Sequence, residues 1–504
     1  MLLSPDGLVN GASNLGGAMH GVHAVHDAHE STIESSEVIP VHPLGVKPLG
    51  NQYFATGPTA RQALGSIGCM PDEMILQLLE YLDAQSLRNV GSTCKFLRAF
   101  CHLEELWKAL FLELQTASPG PPSWKGSWRS TVLQLPAEAI AQVECNNVFS
   151  DVLHRPFECS HIRLSTYISD IPRENQITRL ESLTHDEFER KWSDKPFILA
   201  NYIEAWPVYK TWSIDGLGKR YPDVNFRAEA VDWPFSAYRT YMDKNDDESP
   251  LYLFDKEFAE KTGIDVGQHE GAAYWPPECF GEDLFELLAE ERPAHRWLIV
   301  GPESSGSTFH KDPNATSAWN AVIQGSKYWL MFPPSVPQPP GVFVSEDSSE
   351  VTSPLSIAEY LLSFHAEARK TAGCLEGICR AGEVLFVPSG WWHLVVNIEP
   401  GVALTQNFVT KSQKHLTQVL SFLKDKPDQV TGFSRDVTKP YELFVERLQE
   451  KQPSLLNETL QEMERKSAGR KRRWEEAVGS NAEADNASGG FSFGFGADDD
   501  DDIP

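Results

Sequence analysis

Basic residues are scarce in this chain. Lys and Arg number 44 against 71 Asp and Glu over 504 residues, a formal charge of 44 − 71 = −27. That deficit argues against a broad nucleic-acid surface and leaves basic protein partners compatible. The eight cysteines form no framework, and the one close pair, Cys374 and Cys379, has no second pair at zinc-finger spacing. Reduced thiols in an intracellular compartment are therefore expected. No apolar run approaches the roughly 20 residues that a membrane span requires. The start, Met1-Leu2-Leu3-Ser4-Pro5, has no basic region followed by an apolar one, so a soluble, non-secreted protein without membrane contact is expected. Apolar and aromatic content is ample for a core and for two or more domains.

The most informative text lies around residue 310, where Gly306-Ser307-Thr308-Phe309-His310-Lys311-Asp312-Pro313 is followed, 83 residues beyond His310, by Gly390-Trp391-Trp392-His393. In a strand, residues i and i+2 leave the same face, so His310 and Asp312 can converge while Lys311 points away. Two imidazoles and a carboxylate on one face of an octahedron leave three positions open, the arrangement of non-haem Fe(II) oxygenases that bind a keto acid and O2. Taken alone, His-x-Asp also reads as a turn before Pro313.

The surrounding residues are more specific: Thr316-Ser317-Ala318-Trp319-Asn320-Ala321, Gln324-Gly325-Ser326-Lys327-Tyr328-Trp329 and Gly382-Glu383-Val384-Leu385-Phe386-Val387-Pro388-Ser389 leading into Gly390-Trp391-Trp392-His393. From about Phe149 to Val409 this text closely resembles the JmjC (jumonji C) family of 2-oxoglutarate oxygenases, nearest to the phosphatidylserine-receptor-type jumonji lysyl hydroxylases. The resemblance implies a double-stranded β-helix of the cupin or jelly-roll kind, and Fe(II) on His310, Asp312 and His393. It also implies 2-oxoglutarate as cosubstrate, with its far carboxylate on Lys327, and O2 as oxidant. Ser307, with Thr308 beside it, stands where the family places a hydroxyl, and Tyr252 matches a tyrosine near the cosubstrate. Thr405 and Asn407 match residues lining the far side of the pocket and are taken as lining, not as ligands. The implied activity is hydroxylation of a protein side chain, lysine first, with histone lysine or arginine demethylation as the alternative. Basic substrates, histone or splicing-factor-like, would fit.

A hairpin reading bears on the same residues. Residues 317 to 324 and 327 to 332 are apolar runs separated by Gly325-Ser326, which suits a two-residue turn with glycine first. In that register Asn320 and Lys327 share a face. A second hairpin, through Glu399-Pro400-Gly401, would set Thr405 and Asn407 on the face of His393.

Along the chain, residues 1–62 are rich in Gly, His, Ser and Pro and read as disordered. His20, His23, His26 and His29 recur every third residue, a weak metal site if helical and otherwise a biased polar tail. From Ser66 helical patterns begin, with Pro71, Asp72 and Glu73 at a helix start and Met74, Ile75, Leu78, Leu79 and Leu82 as one stripe. Ser86 would cap a second helix, and a third apolar group runs through Leu97, Phe100, Leu106, Trp107, Leu110 and Phe111. Residues 66–114 resemble the F-box, which implies docking on a Skp-type adaptor and a cullin through the first helix and Leu106-Trp107. The alternatives are a small bundle packed on the oxygenase, or a ubiquitin-ligase receptor whose barrel serves only for recognition. Since the ligand candidates follow residue 300, the module is expected to be dispensable for chemistry.

Residues 115–145 read as a linker, 146–410 as the oxygenase domain and 411–465 as helices with ordinary core packing. Residues 466–504 read as a basic cluster (Lys466, Arg470, Lys471, Arg472, Arg473) and a disordered acidic tail. The cluster fits either a nuclear address or a solvated helix end, and a nuclear location is favoured over a cytoplasmic one. The whole is α+β and multidomain, with a small all-α module ahead of the barrel.

Overall fold

Apolar alternation between Arg296 and Phe408 folds into two facing antiparallel sheets. The computed structural model describes residues 39–117, 123–136, 143–346 and 350–484. Eight strands make the barrel: β1 (Arg296–Gly301), β2 (Gly306–His310), β3 (Ser317–Gln324), β4 (Ser326–Phe332), β5 (Leu375–Arg380), β6 (Val384–Val387), β7 (Trp392–Asn397) and β8 (Gly401–Phe408). One sheet runs β6-β3-β8-β1 at its centre, and the other runs β5-β4-β7-β2. The first continues past β6 into Phe197–Leu199 and Thr178–Leu180, and past β1 into Leu253–Asp255, Asn225–Ala228 and Val231–Pro234. This is the expected double-stranded β-helix, closed face to face so that few edges remain. Val322, Leu385 and Val387 meet Trp329, Met331 and Val395 between the sheets.

The two hairpins do not form. β3 and β4 lie in opposite sheets, and so do β7 and β8. Gly325, at φ +79, is a one-residue corner, where an added Cβ would stand 2.8 Å from the Pro400 carbonyl oxygen. The chain therefore crosses the barrel where a hairpin would fold back on its own sheet. Barrel closure, a tertiary constraint, overrides the local turn signal. Asn320 and Lys327 still look into one space, but from opposite sheets.

Ahead of the barrel stand α1 (Asp72–Glu80), α2 (Ala84–Val90), α3 (Lys95–Phe100) and α4 (Glu104–Ala117). Asp83, not Ser86, caps α2, since its carboxylate accepts from the Ser86 amide at 2.7 Å. The stripe on α1 is split: Ile75 and Leu79 are buried, whereas Met74 and Leu78 are 50% and 54% exposed. Leu106 and Trp107 are buried, which removes them from any docking face. Trp107 donates to the Cys101 carbonyl, and Phe111 packs on Trp128 and Trp233 with ring centroids 5.2 and 5.8 Å away. Trp128 opens a short helix capped by Ser127 within the stretch expected to be a linker, and its indole donates to Asp247 at 2.9 Å. Module and barrel thus share one apolar core. The module is therefore packed onto the barrel and is not a free appendage.

Residues 41 to 62 are likewise not a free tail. Lys47 bridges to Phe149, and Val46 and Ala60 are buried. Backbone pairing of this kind needs no side-chain period and leaves no trace in one. Residues 1–38, with the histidine tract, lie outside the described residues.

After the barrel, Gln413–Asp425, Pro440–Lys451 and Pro453–Ala484 are helical. Leu416, Val419, Leu420, Phe444, Leu448 and Leu456 bury against Leu284, Phe285 and Leu288. The last helix runs on past residue 465, through the basic cluster, because Arg, Lys, Glu and Ala propagate a helix well. The side chains of Arg470, Lys471, Arg472 and Arg473, and residues 485–504, lie outside the described residues. Among the described residues no helix is long and apolar enough to cross a membrane.

Phe111→Ala should destabilise the whole chain by about 3–5 kcal/mol, the usual cost of emptying a buried aromatic site. Urea unfolding should show barrel and module transitions shifting together. A loss confined to an early transition, with the barrel transition unmoved, would mean the shared core does not couple them.

Candidate functional site

β2 and β7 are neighbours, and His310 pairs directly with His393, their ring centroids 4.1 Å apart. Asp312 follows β2 in the extended conformation (φ −59, ψ 143) that a residue before proline favours. The ligand atoms of His310, Asp312 and His393 all lie within 4.8 Å of one another, and among the described residues no other such group of His, Cys, Asp or Glu occurs. Nδ1 of His310 faces the Thr308 carbonyl at 2.8 Å, and Nδ1 of His393 faces that of Trp391 at 3.2 Å. Each carbonyl requires an N–H at Nδ1, which leaves both Nε2 atoms as neutral donors of a lone pair to a metal.

The loop after Asp312 is held from three directions. Asn314 and Ala315 have φ of +56 and +54. The Asn314 side chain donates to the Thr431 carbonyl at 2.8 Å and accepts from the Thr431 amide at 3.1 Å. The Ala315 carbonyl accepts from Ser389 and from Nε2 of His415. His415 is buried and its pKa is pushed down to about 4 by that burial, so it stays neutral and keeps the bond. Asn407 donates to Asp312 at 3.3 Å and to Thr316 at 2.8 Å. Burial pushes the Asp312 carboxyl up to about 6, against the pull of His310 and Asn407. His393 is driven well below its ordinary value, first by burial and then by the neighbouring His310. A reluctant carboxylate beside two imidazole nitrogens is a donor set that a divalent ion satisfies.

These residues line a cavity of about 550 Å³ between the sheets. Ser307 reaches it together with His310, although residues three apart in a regular strand face opposite ways. A bulge explains this: His393 pairs with His310 but Val395 pairs with Ser307, so β2 carries one extra residue. Thr308, expected beside the cosubstrate, is not among the cavity's lining residues. Thr405 and Asn320 face each other across β8 and β3 and line the cavity with Asn407, the Thr405 hydroxyl being spent on the Trp319 carbonyl.

Lys327 is 1% exposed behind Tyr252. Its ammonium donates to the Tyr252 hydroxyl at 2.7 Å and to Asn397 at 2.6 Å, and burial pushes its pKa down to about 7. No carboxylate pairs with it among the described residues. Asn397 is oriented by its own bonds to Ser305 and the Pro302 carbonyl. On the cavity wall, Asn320 Oδ1 and Trp329 Nε1 are buried without a partner. A buried ammonium without an anion and the unmatched N–H of Trp329 fit a small dicarboxylate, whereas the Asn320 oxygen calls for a donor.

Sequence reasoning missed Asn397, Trp329, Asn314 and His415. Trp329 alone carried a signal, being two residues from Lys327 on one strand face. The others act through bonds that cross 70 to 117 positions of chain.

Residues 187–414 match the model of a cupin-like domain and residues 67–113 that of an F-box-like domain. The arginine-specific demethylase JMJ22 of Arabidopsis thaliana is 37% identical over 463 residues, covering 89% of this chain and 88% of that protein. The bifunctional arginine demethylase and lysyl-hydroxylase psr-1 of Caenorhabditis elegans is 32% identical over 301 residues, 56% of this chain and 71% of psr-1. The 2-oxoglutarate and iron-dependent oxygenase JMJD4 of Danio rerio is 32% identical over 136 residues, 27% of this chain and 31% of its own.

An anion entering the cavity stabilises protonated Lys327, so its binding should take up a proton above pH 7. Affinity for a small dicarboxylate, measured on the metal-free protein, should be fully present below about pH 7. It should then fall by about tenfold per pH unit as Lys327 deprotonates. Calorimetry with succinate between pH 6 and 9, in two buffers of different ionisation enthalpy, checks it. Flat affinity and no proton uptake would remove Lys327 from the contact.

Proposed function

This chain belongs to the JmjC family of iron- and 2-oxoglutarate-dependent oxygenases and carries an F-box-like domain ahead of the barrel, and on that premise we propose that it oxidises a basic side chain of a protein substrate, lysine first, with His310, Asp312 and His393 holding the iron. The observation that carries the proposal is the convergence of those three side chains on a cavity that is also lined by Tyr252, the hydrogen-bond partner of the buried Lys327. Bound together, iron and 2-oxoglutarate supply an oxidant for an aliphatic C–H bond, consuming O2 and releasing succinate and CO2.

The chain's own residues bind, orient and exclude water. Lys327 offers its charge to the far carboxylate of the cosubstrate, and Tyr252 and Asn397 fix where that charge sits. Asn407 holds Asp312, and the carbonyls of Thr308 and Trp391 fix the two imidazoles. Trp329, Val395 and Val387 keep the interior dry, which strengthens each of these contacts.

Demethylation is a second reading, favoured by likeness over most of the chain to a protein named as an arginine demethylase. Oxidising an N-methyl carbon requires the same site and only a different reach of the substrate. Asp312→Ala removes the one anionic ligand and should bring succinate formation to background while abolishing stoichiometric Fe(II) binding. Turnover near the wild-type rate would sink the ligand assignment. Mass spectrometry of basic peptides, seeking a gain of oxygen or a loss of methyl, separates the two readings.

We further infer that the F-box-like module docks on a Skp-type adaptor and through it a cullin, using the outward face of α1. Met74, Leu78 and Tyr81 stand exposed there while Ile75 and Leu79 hold the core, and a few such apolar anchors carry most of a small interface. Replacing Met74 and Leu78 with Asp should abolish co-purification of adaptor and cullin without lowering the thermal midpoint. An adaptor that still binds this variant would place docking elsewhere.

A further inference from the structure

The cavity lining has two dissimilar parts. The floor is buried, with Asn320, Trp329 and Tyr252, and the Tyr252 hydroxyl accepts from the Lys327 ammonium that lies behind the lining. Its mouth is formed by the more exposed lining residues Arg227, Glu229, Phe254 and Trp297, none of which is a candidate metal ligand or a hydrogen-bond partner of Lys327. Phe254 is 40% exposed although it projects from the sheet face that elsewhere is covered. Its ring stacks on Trp297 at 5.2 Å between centroids and 24° between planes, so the mouth presents an aromatic wall to solvent.

Glu229 sits at the turn between Asn225–Ala228 and Val231–Pro234 with φ +50, a backbone conformation that few non-glycine residues adopt. Its Oε1 accepts from the Tyr252 amide at 3.1 Å, which ties the carboxylate to the strand that carries Phe254. That is its one hydrogen bond among the described residues, and no cation lies within ion-pair distance of it. The two nearby cations are committed elsewhere. The Arg227 guanidinium is on Asp232 at 2.8 Å, and Lys108 is 4.0 Å from Asp247 and lies over the Trp128 ring.

We propose that this mouth is a subsite for the cationic side chain of the substrate, in which Glu229 provides the counter-charge and the stacked Phe254 and Trp297 provide the wall. The proposal rests on the oxygenase reading of the cavity floor. A cation over an aromatic face and beside a fixed carboxylate gains from both, and one end of the cavity is then charged for an anionic cosubstrate and the other for a cationic substrate. Crowding by the protein raises the Glu229 carboxyl above its usual range, and the charge on Lys108 draws it back. Lysine and arginine share the required chemistry, and the reach from mouth to metal decides between them.

Binding to full-length, metal-free protein separates this from a purely structural Glu229. The probes are Ac-Gly-Lys-Gly-NH2 and Ac-Gly-Arg-Gly-NH2, with norleucine and citrulline versions as neutral controls, and affinity is read by ligand-observed NMR. At least one cationic probe should bind about tenfold more tightly than its neutral control, and Glu229→Gln should erase that difference. Glutamine keeps an acceptor for the Tyr252 amide, so an unchanged thermal midpoint shows that the turn survives. Trp297→Leu should weaken the cationic probes in the same direction. Equal binding of cationic and neutral probes by the wild type, or an undiminished preference in Glu229→Gln, overturns the subsite. Iron-dependent consumption of 2-oxoglutarate by the wild type is measured alongside. Its absence, with charge-selective binding intact, would defeat the oxygenase reading and leave the subsite standing.

Discussion

Burying an ammonium without a counter-charge costs several kcal/mol, and Lys327 is buried with two neutral oxygens as its partners. Much of the barrel interior follows from holding that charge in readiness. Tyr252 reaches it from outside the eight strands, at the start of an added strand beside β1, and Asn397 reaches it from the neighbouring β7. Asn397 is in turn locked by Ser305 and Pro302, so the ammonium cannot swing away to water. The same interior raises the Asp312 carboxyl and lowers His393. A cation at Asp312 and an anion near Lys327 would relieve both destabilisations, and a ligand that binds only the folded chain stabilises it by mass action.

Rigidity around the site comes from parts of the chain that are not barrel. The C-terminal helix starting at Gln413 sends His415 back to the Ala315 carbonyl, and Thr431 grips Asn314, so the loop behind Asp312 is fixed by residues beyond the last strand. On the other side, Trp128 stands between α4 and the outer strands, touching Phe111, Trp233 and Tyr241. An aromatic cluster of this size resists rotation of one part against another, because each ring fills a gap that no other arrangement fills.

The chemistry was more legible in the sequence than the route of the chain. His310, Asp312, His393 and Lys327 sit in motif text whose meaning does not depend on knowing which strand pairs with which. Hairpins and barrel corners share a local signal, because Gly325 favours a tight turn and a corner alike, and only closure of the two sheets selects the corner. The β2 bulge that turns Ser307 inward and Thr308 away has no local sequence signature. Helices were read well where one face is buried, as in Gln413–Asp425. The stripe on α1 reads as one face because apolar residues on either side of a helix look the same in a list, and only packing separates Met74 and Leu78 from Ile75 and Leu79. Glu229 and Asn397 carried no signal, since each acts through a partner far along the chain.

The shared aromatic core and the His415 tether bear on how such proteins can be cut and recombined. The cupin-like match ends at residue 414, one position before His415, and the F-box-like match ends at 113, before Trp124 and Trp128. Boundaries drawn at the ends of these two matches would sever both ties. A gene fusion that moved either segment alone would inherit its motif and lose its support. The extents of the two matches and the unit of folding do not coincide in this chain, and the residues that join its parts are tryptophans and a histidine outside both matches.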